Sequence, residues 1–276
     1  MKYIIITIAV FAAIVIISVE ISAMADGFRK RHGKPPMGSR QRSVWFICSF
    51  VVLVSVVFFG YFSVYYHADD DARKALLSED GVAVTKLDSG WFFDGSGEKY
   101  AVIFFPGAKV ECESYAPLMK QLAGKGIDAF LVDPPLNMAI LGTGAAAEIM
   151  NEFEYDEWSV SGHSLGGTAA AGIAAEHPDD IKSLILLAAY PSKKIPGNVR
   201  LCSIYGDVDE VLELNEYEKH KKNWPPESEE FVINGGNHSG FGNYGEQSSD
   251  GCAAISRSDQ QSITAGKIAG FVIAEE

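Results

Sequence analysis

The alternation of two kinds of apolar run constrains the fold of this chain more than any other feature of its sequence. From residue 82 onward, short runs rich in apolar and β-branched residues, typical of strands, alternate with longer runs typical of helices. Strands that alternate with helices predict a parallel sheet with helices on both faces, the α/β class. The predicted strands are 82–87, 90–93, 100–105, 129–132, 158–161, 183–188, 200–205 and 230–233, and the predicted helices are 114–123, 145–153, 167–176, 211–222 and 259–273.

Two long apolar runs precede this region. No charged residue occurs at positions 3–19, a run of 17 residues, or at positions 43–66, a run of 24 residues. Because a bilayer needs about 20 apolar residues per helix, we expect two transmembrane helices, at about 3–23 and 43–66. A cleaved secretory signal is the alternative for the first run, and the small residues Ala23 and Ala25 would suit it.

The segment between these runs is basic. Asp26 alone opposes a set of six basic residues: Arg29, Lys30, Arg31, Lys34, Arg40 and Arg42. Because short basic loops stay in the cytoplasm, the N-terminus and everything after the second span are expected on the far side of the membrane. The same side chains would attract anionic lipid headgroups. The expected organisation is therefore a two-helix membrane anchor at 1–66, a juxtamembrane linker or short helix at 67–80, and an α/β domain at 81–276.

Charge is divided unequally along the chain. Residues 1–66 carry seven Lys and Arg against two acidic residues, a net charge of +5, so the whole-chain charge of −13 leaves −18 for residues 67–276. Such an acidic region would repel the phosphates of a nucleic acid. We therefore expect no nucleic-acid partner, and a soluble domain that does not adhere to an anionic bilayer.

No motif indicates a metal or a cofactor. The four cysteines, at positions 48, 112, 202 and 252, form no Cys-x-x-Cys pair and no cluster with histidine at metal-ligand spacing. Cys48 falls in the second apolar run, so the other three cysteines allow at most one disulfide, whose pairing stays open. Residues 142–147, Gly-Thr-Gly-Ala-Ala-Ala, match the dinucleotide fingerprint, but no strand–helix–strand unit begins there, and the start of a helix explains them better.

Residues 162–167 read Gly-His-Ser-Leu-Gly-Gly, after a predicted strand and before a predicted helix. A serine on such a sharp turn presents its hydroxyl above the sheet. The residues two before and two after it must be small, because a Cβ there would collide across the turn. Gly162 and Gly166 meet this requirement. The pattern predicts that Ser164 is a nucleophile, provided that a base and an acid lie beside it.

His238 is the candidate base, because it alone among the six histidines falls in a glycine-rich loop directly after a predicted strand. The acid is expected in the segment that follows the strand ending at Tyr205. Asp209 is preferred, since its spacing from Gly206 lets the chain turn before the carboxylate points at the site, and Asp207 is the alternative. Nucleophile, acid and base then follow one another in the chain order of α/β-hydrolases.

Several short segments resemble the α/β-hydrolase superfamily, and the resemblance covers about residues 82–273. They are Phe-Pro-Gly-Ala at 105–108, the motif at 162–167, His-Pro at 177–178 and the Gly-x-x-Asp spacing of 206–209. The tract 235–245, Gly-Gly-Asn-His-Ser-Gly-Phe-Gly-Asn-Tyr-Gly, is similar to a bacterial branch related to dienelactone hydrolases, which often carries an N-terminal membrane anchor. Ala108 departs from the second glycine of the superfamily pattern.

The resemblance implies an α/β-hydrolase fold with an oxyanion hole of two backbone N–H groups. Leu165, which follows the nucleophile, is expected to supply one of them. Ala108 is the candidate for the other, and Lys109 is the alternative. About ten residues join the strands that end near 188 and begin near 200, so we expect no lid domain and an open site.

The implied activity is that of a membrane-anchored serine esterase that forms an acyl-enzyme on a small or envelope-derived acyl substrate. An acyltransferase, a serine peptidase on a cell-envelope substrate and a non-catalytic membrane-tethered binding module stay open as alternatives. Phe241 and Tyr244, beside the candidate base, either stack on the substrate or pack beneath their loop. The sequence does not define an oligomeric state.

Overall fold

The computed structural model describes residues 2–79 and 81–273. Asp80, which ends the predicted linker, and residues 274–276, which end the predicted α/β domain, lie outside the described residues. The chain divides into two compact units, Met1–Val64 and Tyr65–Glu276. Each unit is described by itself.

The first unit is a pair of helices, α1 (Lys2–Arg31) and α2 (Ser39–Phe62). Within them, Ala9–Arg31 and Ser39–Phe62 are long and apolar enough to cross a bilayer. Many of their large apolar side chains are exposed. α1 continues beyond the predicted span to Arg31, and the chain turns left-handed shortly after it at Gly33 (φ 68°).

Asp26 fixes the turn between these two helices. One of its carboxylate oxygens accepts a hydrogen bond from the backbone N–H of Met37 at 2.6 Å. The other lies 3.2 Å from the Arg42 guanidinium and 3.5 Å from the Lys30 ammonium group. The acidic residue that opposed the basic loop in the sequence therefore ties the end of α1 to the start of α2.

The second unit is built on one eight-stranded sheet in the order β1-β2-β4-β3-β5-β6-β7-β8. β1 pairs with β2, and β2 with β4, in antiparallel fashion, whereas the other five pairings are parallel. The predicted α/β sheet is thus confirmed, with an antiparallel edge. The strands are β1 (Ala83–Leu87), β2 (Gly90–Asp94), β3 (Tyr100–Phe105), β4 (Ile127–Val132), β5 (Glu157–His163), β6 (Ile181–Leu187), β7 (Arg200–Gly206) and β8 (Ser228–Ile233).

Helices cover both faces of this sheet. Along β3 the side chains alternate between two cores: Val102 and Phe104 face one, and Ala101 and Ile103 face the other. Strands buried on both faces carry apolar residues at every position, which explains the uninterrupted apolar runs in the sequence. The helices are α3 (Asp70–Ala75), α4 (Ala116–Ala123), α5 (Ala145–Glu152), α6 (Leu165–Glu176), α7 (Leu214–His220) and α8 (Arg257–Val272).

Three strands end directly before the loops that carry the candidate catalytic residues. Ser164 follows β5, Asp209 follows β7 and His238 follows β8. Because parallel neighbours end at the same edge of a sheet, these loops lie on one side of it. Residues 188–199, which join β6 to β7, contain no helix or strand, in agreement with the expected absence of a lid domain.

The segment predicted as a juxtamembrane linker is folded onto the second unit. α2 already ends at Phe62, and Tyr66, predicted as the last residue of the membrane span, instead pairs with Val110 in a parallel bridge. Ala68 and Ala72 are buried. The charges of this segment favoured an exposed linker or a short helix; the short helix α3 forms, and the small alanines between its charges pack inward.

Candidate functional site

Ser164 lies on the turn between β5 and α6 with backbone angles φ 54° and ψ −122°. A residue with a side chain adopts such angles at a cost of about 1–3 kcal/mol and keeps them only where its surroundings enforce them. A Cβ added at Gly162 would meet the backbone of Gly166, and one added at Gly166 would meet the backbone of Phe105. The Ser164 N–H also donates to the Leu187 carbonyl at 2.9 Å. The chain therefore makes the sharp strand-to-helix turn that the motif at 162–167 predicts, with Ser164 at its centre.

His238 and Asp209 form a buried pair. The ring Nδ1 of His238 lies 2.8 Å from Asp209 Oδ2, and both side chains are at most 3% exposed. The other carboxylate oxygen of Asp209 accepts the backbone N–H groups of Val211 and Leu212, each at 2.8 Å. This carboxylate is thus fixed by its own turn. It accepts a hydrogen bond from Nδ1 of the imidazole, which leaves Nε2 free of this pair.

Asp207, the alternative acid, serves a different contact. Its Oδ1 accepts the backbone N–H of Gly235 at 2.6 Å, which joins the loop after β7 to the loop after β8. Asp209 is therefore the carboxylate that the fold brings to the His238 ring. Asp207 instead stabilises the turn at Gly235, which precedes His238.

Ser164 and His238 line one cavity of about 270 Å³. The Ser164 hydroxyl makes no hydrogen bond with any residue in the described part of the chain, and such contacts often form fully only when substrate binds. Small and apolar residues form most of the wall, together with Thr168, Tyr190 and Glu213. This volume lies slightly below the range of about 300–1,000 Å³ that is typical of ligand sites.

The two candidate oxyanion amides differ from the alternative in their hydrogen bonding. Among the described residues, the N–H groups of Ala108 and Leu165 have no acceptor, whereas the N–H of Lys109 donates to the Asn137 carbonyl at 2.8 Å. Leu165 is the first residue of α6, so its amide stands at the positive end of that helix. The structure thus leaves the Ala108 amide available and engages the Lys109 amide.

The sequence comparison with protein families agrees with this geometry. A model of the alpha/beta hydrolase family matches residues 101–262, more than half of the chain. The chain belongs to the alpha/beta hydrolase family. The matched segment holds the elbow, Asp209 and His238.

Solved structures of low sequence identity share the fold of this alpha/beta hydrolase. TT1662 from Thermus thermophilus is 14% identical with a TM-score of 0.52, over 70% of this chain and 99% of its own. A dienelactone hydrolase from Anabaena variabilis is 15% identical with a TM-score of 0.52, over 71% and 99%. The alpha/beta hydrolase domain-containing protein 10 from mouse is 12% identical with a TM-score of 0.51, over 71% and 99%. No curated protein sequence matches the chain.

Asp250 is a residue of the site that the sequence reasoning missed. Its carboxylate accepts the backbone N–H groups of His238 at 3.2 Å and Ser239 at 2.7 Å, and that of Glu210 at 3.4 Å. It therefore supports the loops of both the candidate base and the candidate acid in this alpha/beta hydrolase. A polar residue in an irregular segment, outside the loops that it supports, gives no local signal of such a role.

Tyr115 and His163 form a second buried pair beneath the site, also missed. The Tyr115 hydroxyl lies 2.8 Å from His163 Nδ1 and accepts the backbone N–H of Gly107 at 3.2 Å. Burial and the adjacent His238 ring lower the pKa of His163 well below its ordinary value, and burial raises the pKa of Tyr115. Both side chains are therefore neutral at pH 7.

The loop aromatics pack beneath the site. Phe241 is fully buried and Tyr244 is 5% exposed, and both belong to the core on one face of the sheet. Of the two possibilities that the sequence left open, the structure shows packing.

One group of side chains in the described part of the chain has the composition of a metal site. Atoms of Cys112, Glu113 and Asp133 lie within 4.8 Å of one another. Burial raises the pKa of the Cys112 thiol far above its ordinary value, and the thiol donates a hydrogen bond to the Glu113 carboxylate at 3.3 Å. The carboxylates are also engaged, with the Trp91 indole and the Lys86 ammonium group. This donor set suits a metal poorly.

Proposed function

We propose that this protein is a membrane-anchored serine hydrolase that cleaves carboxylic esters through Ser164, His238 and Asp209. One observation carries the proposal: a strained serine elbow and a buried, carboxylate-paired imidazole line the same cavity. A strained serine turn alone, or a buried histidine–aspartate pair alone, could serve only to stabilise the fold. Together they supply the nucleophile, the base and the orienting acid that acyl transfer requires.

The chemistry proceeds in two halves. His238 Nε2 takes the proton of Ser164 as its Oγ bonds to the carbonyl carbon, and the Asp209 carboxylate stabilises the imidazolium that forms. The negative oxygen of the tetrahedral intermediate accepts hydrogen bonds from the N–H groups of Ala108 and Leu165. Each such donor stabilises the transition state by about 2.7–4 kcal/mol. The ester C–O bond then breaks, and the leaving alcohol takes the proton from His238.

Water completes the cycle. His238 removes a proton from a water molecule, whose oxygen attacks the acyl-enzyme carbonyl, and the bond to Ser164 Oγ breaks as that oxygen regains a proton. The carboxylic acid leaves, and the resting enzyme is restored. Acyl transfer to another alcohol or to an amine follows the same steps, which is why the transferase and peptidase alternatives share this site.

The cavity favours a small substrate without negative charge. A volume of about 270 Å³ accommodates a short acyl group. Glu213 lines the cavity, and residues 67–276 carry a net charge of −18, so an anionic ester would be repelled. Short neutral or cationic esters are therefore the proposed substrate class.

The membrane anchor is the second part of the proposal. Two apolar helices precede the hydrolase unit, and the basic segment between them favours a cytoplasmic turn. The hydrolase unit is therefore proposed to lie outside the cytoplasm. A reporter that is active only in the cytoplasm, fused after Glu276, should stay inactive, and an active fusion would overturn this orientation.

The catalytic proposal is tested with the full-length protein in detergent, on panels of esters, thioesters and peptides. Ser164→Ala should lower kcat by at least about 10⁴-fold and abolish labelling by a fluorophosphonate. Ser192→Ala, at an exposed serine of the loop after β6, is the matched control and should retain both.

Each alternative gives its own result. Undiminished turnover by Ser164→Ala would refute the mechanism. Preference for peptides, or for an added alcohol over water as acceptor, would replace the esterase by a peptidase or an acyltransferase. A folded protein that neither turns over nor reacts with the probe would be a binding module.

A further inference from the structure

The segment that follows α2 is hydrogen-bonded to the loop of the candidate oxyanion amide. The Tyr66 N–H donates to the Lys109 carbonyl at 2.7 Å, and the Glu111 N–H donates to the Tyr66 carbonyl at 2.9 Å. The Ala68 N–H donates to the Glu111 carboxylate at 2.7 Å. We call residues 66–69 the strap. It pairs with the loop like a short parallel strand, directly after Ala108.

The loop that the strap contacts is conformationally strained. Lys109 has a φ of 57°, in the left-handed region that residues with a side chain rarely adopt. Both peptide groups of Lys109 are hydrogen-bonded, because its N–H donates to the Asn137 carbonyl and its own carbonyl accepts the N–H of Tyr66. Removing one support would let this turn relax, and with it the adjacent Ala108 amide.

A row of aromatic rings leads from the strap to the same loop. The Tyr66 ring lies 5.4 Å from that of Tyr244, which lies 6.3 Å from that of Tyr115, measured between ring centroids. Tyr115 in turn accepts the N–H of Gly107 and contacts His163. The strap therefore supports the residues on both sides of Ala108.

The far end of the strap reaches the loop that follows the candidate base. The Asp69 N–H donates to the Asn243 carbonyl at 2.9 Å, and the Asp69 carboxylate accepts the Asn243 amide at 3.2 Å. The Asn243 N–H donates to the Ser114 carbonyl at 2.7 Å. One short segment thus ties together the oxyanion loop and the histidine loop.

We propose that the strap is a positioning element of the active site, which holds the Ala108 amide where the oxyanion forms. This inference rests on the proposed hydrolase function. Tyr66 follows the last residue of α2, Phe62, by only four positions. The chain that leaves the apolar anchor is thus part of the catalytic scaffold.

The test measures kcat for each titrated active site in the full-length protein. Tyr66→Ala removes the ring that packs on Tyr244 and should lower kcat about tenfold with KM changed less than twofold, because an oxyanion contact acts in the transition state. Tyr66→Phe should restore the wild-type value. Tyr100→Ala is the matched control: its half-buried ring packs on the same core as that of Tyr66, but it lies at the start of β3, away from the strap and both loops, and kcat per site should not change.

A second pair of variants tests the backbone contact. Glu111→Ala removes the acceptor of the Ala68 N–H and should lower kcat about fivefold, whereas Glu111→Gln keeps an acceptor oxygen and should lose less. Titration with a fluorophosphonate counts folded sites. A merely structural role would reduce the number of sites and leave kcat per site unchanged, which would overturn the inference.

Ser164→Ala separates this inference from the function on which it rests. If that variant is inactive and the Tyr66 and Glu111 variants have wild-type kcat per site, the positioning role is wrong and the hydrolase function stands. If Ser164→Ala is fully active, the proposed function itself fails.

Discussion

The elbow of Ser164 and the loop of His238 meet in one cavity, yet they are held by different means. The elbow is held by its own neighbours: glycines at positions 162 and 166 allow backbone segments to approach so closely that no Cβ fits between them. The histidine loop is held by side chains from elsewhere in the chain, among them Asp250 and Gln260. Backbone crowding leaves a sequence motif, whereas support by distant side chains leaves none.

The support of the histidine loop is extensive. Gln260, on α8, accepts the N–H of Asn237 at 3.1 Å and donates to its carbonyl at 2.7 Å. Asp250 accepts the two N–H groups that follow, and Asp209 holds the ring itself. Because these contacts come from separate side chains, each can be removed by its own substitution, whereas the elbow depends on one crowded turn.

The largest expected effect lies in the histidine loop. Asp209→Asn removes the negative charge that stabilises the imidazolium and also permits the wrong tautomer of His238, so kcat should fall about 10⁴-fold. Asp207→Asn is the matched control, because its carboxylate bonds the Gly235 N–H and not the His238 ring; kcat should fall less than about tenfold. Steady-state ester hydrolysis measures both. Equal losses would show that the two aspartates share the role of the acid.

The elbow should respond in stability. Gly162→Ala places a Cβ against the backbone of Gly166 and should lower the free energy of unfolding by about 3 kcal/mol or more. Gly172→Ala is the matched control: it lies on α6 with no atom near the added Cβ, and it should stabilise by about 0.5–1 kcal/mol through helix propensity. Urea unfolding measures both values. A tolerated Gly162→Ala would show that the elbow has room for a Cβ at this position.

The difference between local and distant support also explains how much of the fold and of the candidate site could be predicted from the sequence. The alternation of apolar runs predicted every strand of the sheet to within a few residues, because period and burial are properties of neighbouring residues. The motif around Ser164 and the glycine-rich tract around His238 are local as well. The pairing of Tyr66 with Val110, however, depends on segments that meet only in the fold.

The missed site residues follow the same rule. Asp250 lies in an irregular segment and Tyr115 at the start of a helix, and neither position has a pattern that distinguishes it. The choice between Asp207 and Asp209 was argued from spacing alone, whereas hydrogen bonds to Val211 and Leu212 fix the second carboxylate. Local patterns indicate which residue types take part in the site, and tertiary contacts decide which of several residues of one type does so.

A smaller effect should come from the support of the base. Asp250→Asn keeps one acceptor oxygen but weakens the charge-assisted bonds to the His238 and Ser239 amides, so kcat should fall about 10-fold to 100-fold with the protein still folded. Glu246→Gln, an exposed acid on the cavity lined by Asp250, is the control and should leave kcat unchanged. A normal kcat for Asp250→Asn would mean that Asn237 and Gln260 suffice to hold the loop.

The smallest effect should appear where the two regions touch. His163 belongs to the elbow, and its ring centroid lies 4.4 Å from that of His238. Burial, and then the His238 ring, lower the pKa of His163 well below the ordinary 6.5. At a pH between the pKa of His163 in the folded protein and its pKa in the unfolded chain, His163 is protonated only in the unfolded chain. The free energy of unfolding should therefore be highest above about pH 6.5 and fall below it, by up to about 1.4 kcal/mol per pH unit from this residue.

His163→Gln tests that dependence, because glutamine removes the titrating ring and keeps polar atoms near Tyr115. Urea unfolding at pH 5 to 8 should show a flatter profile for the variant than for the wild type, with the two curves converging in slope above about pH 7. If both slopes are the same at acid pH, the folded protein admits the proton at His163. The His163 ring, where the elbow contacts the histidine loop, would then be accessible to solvent.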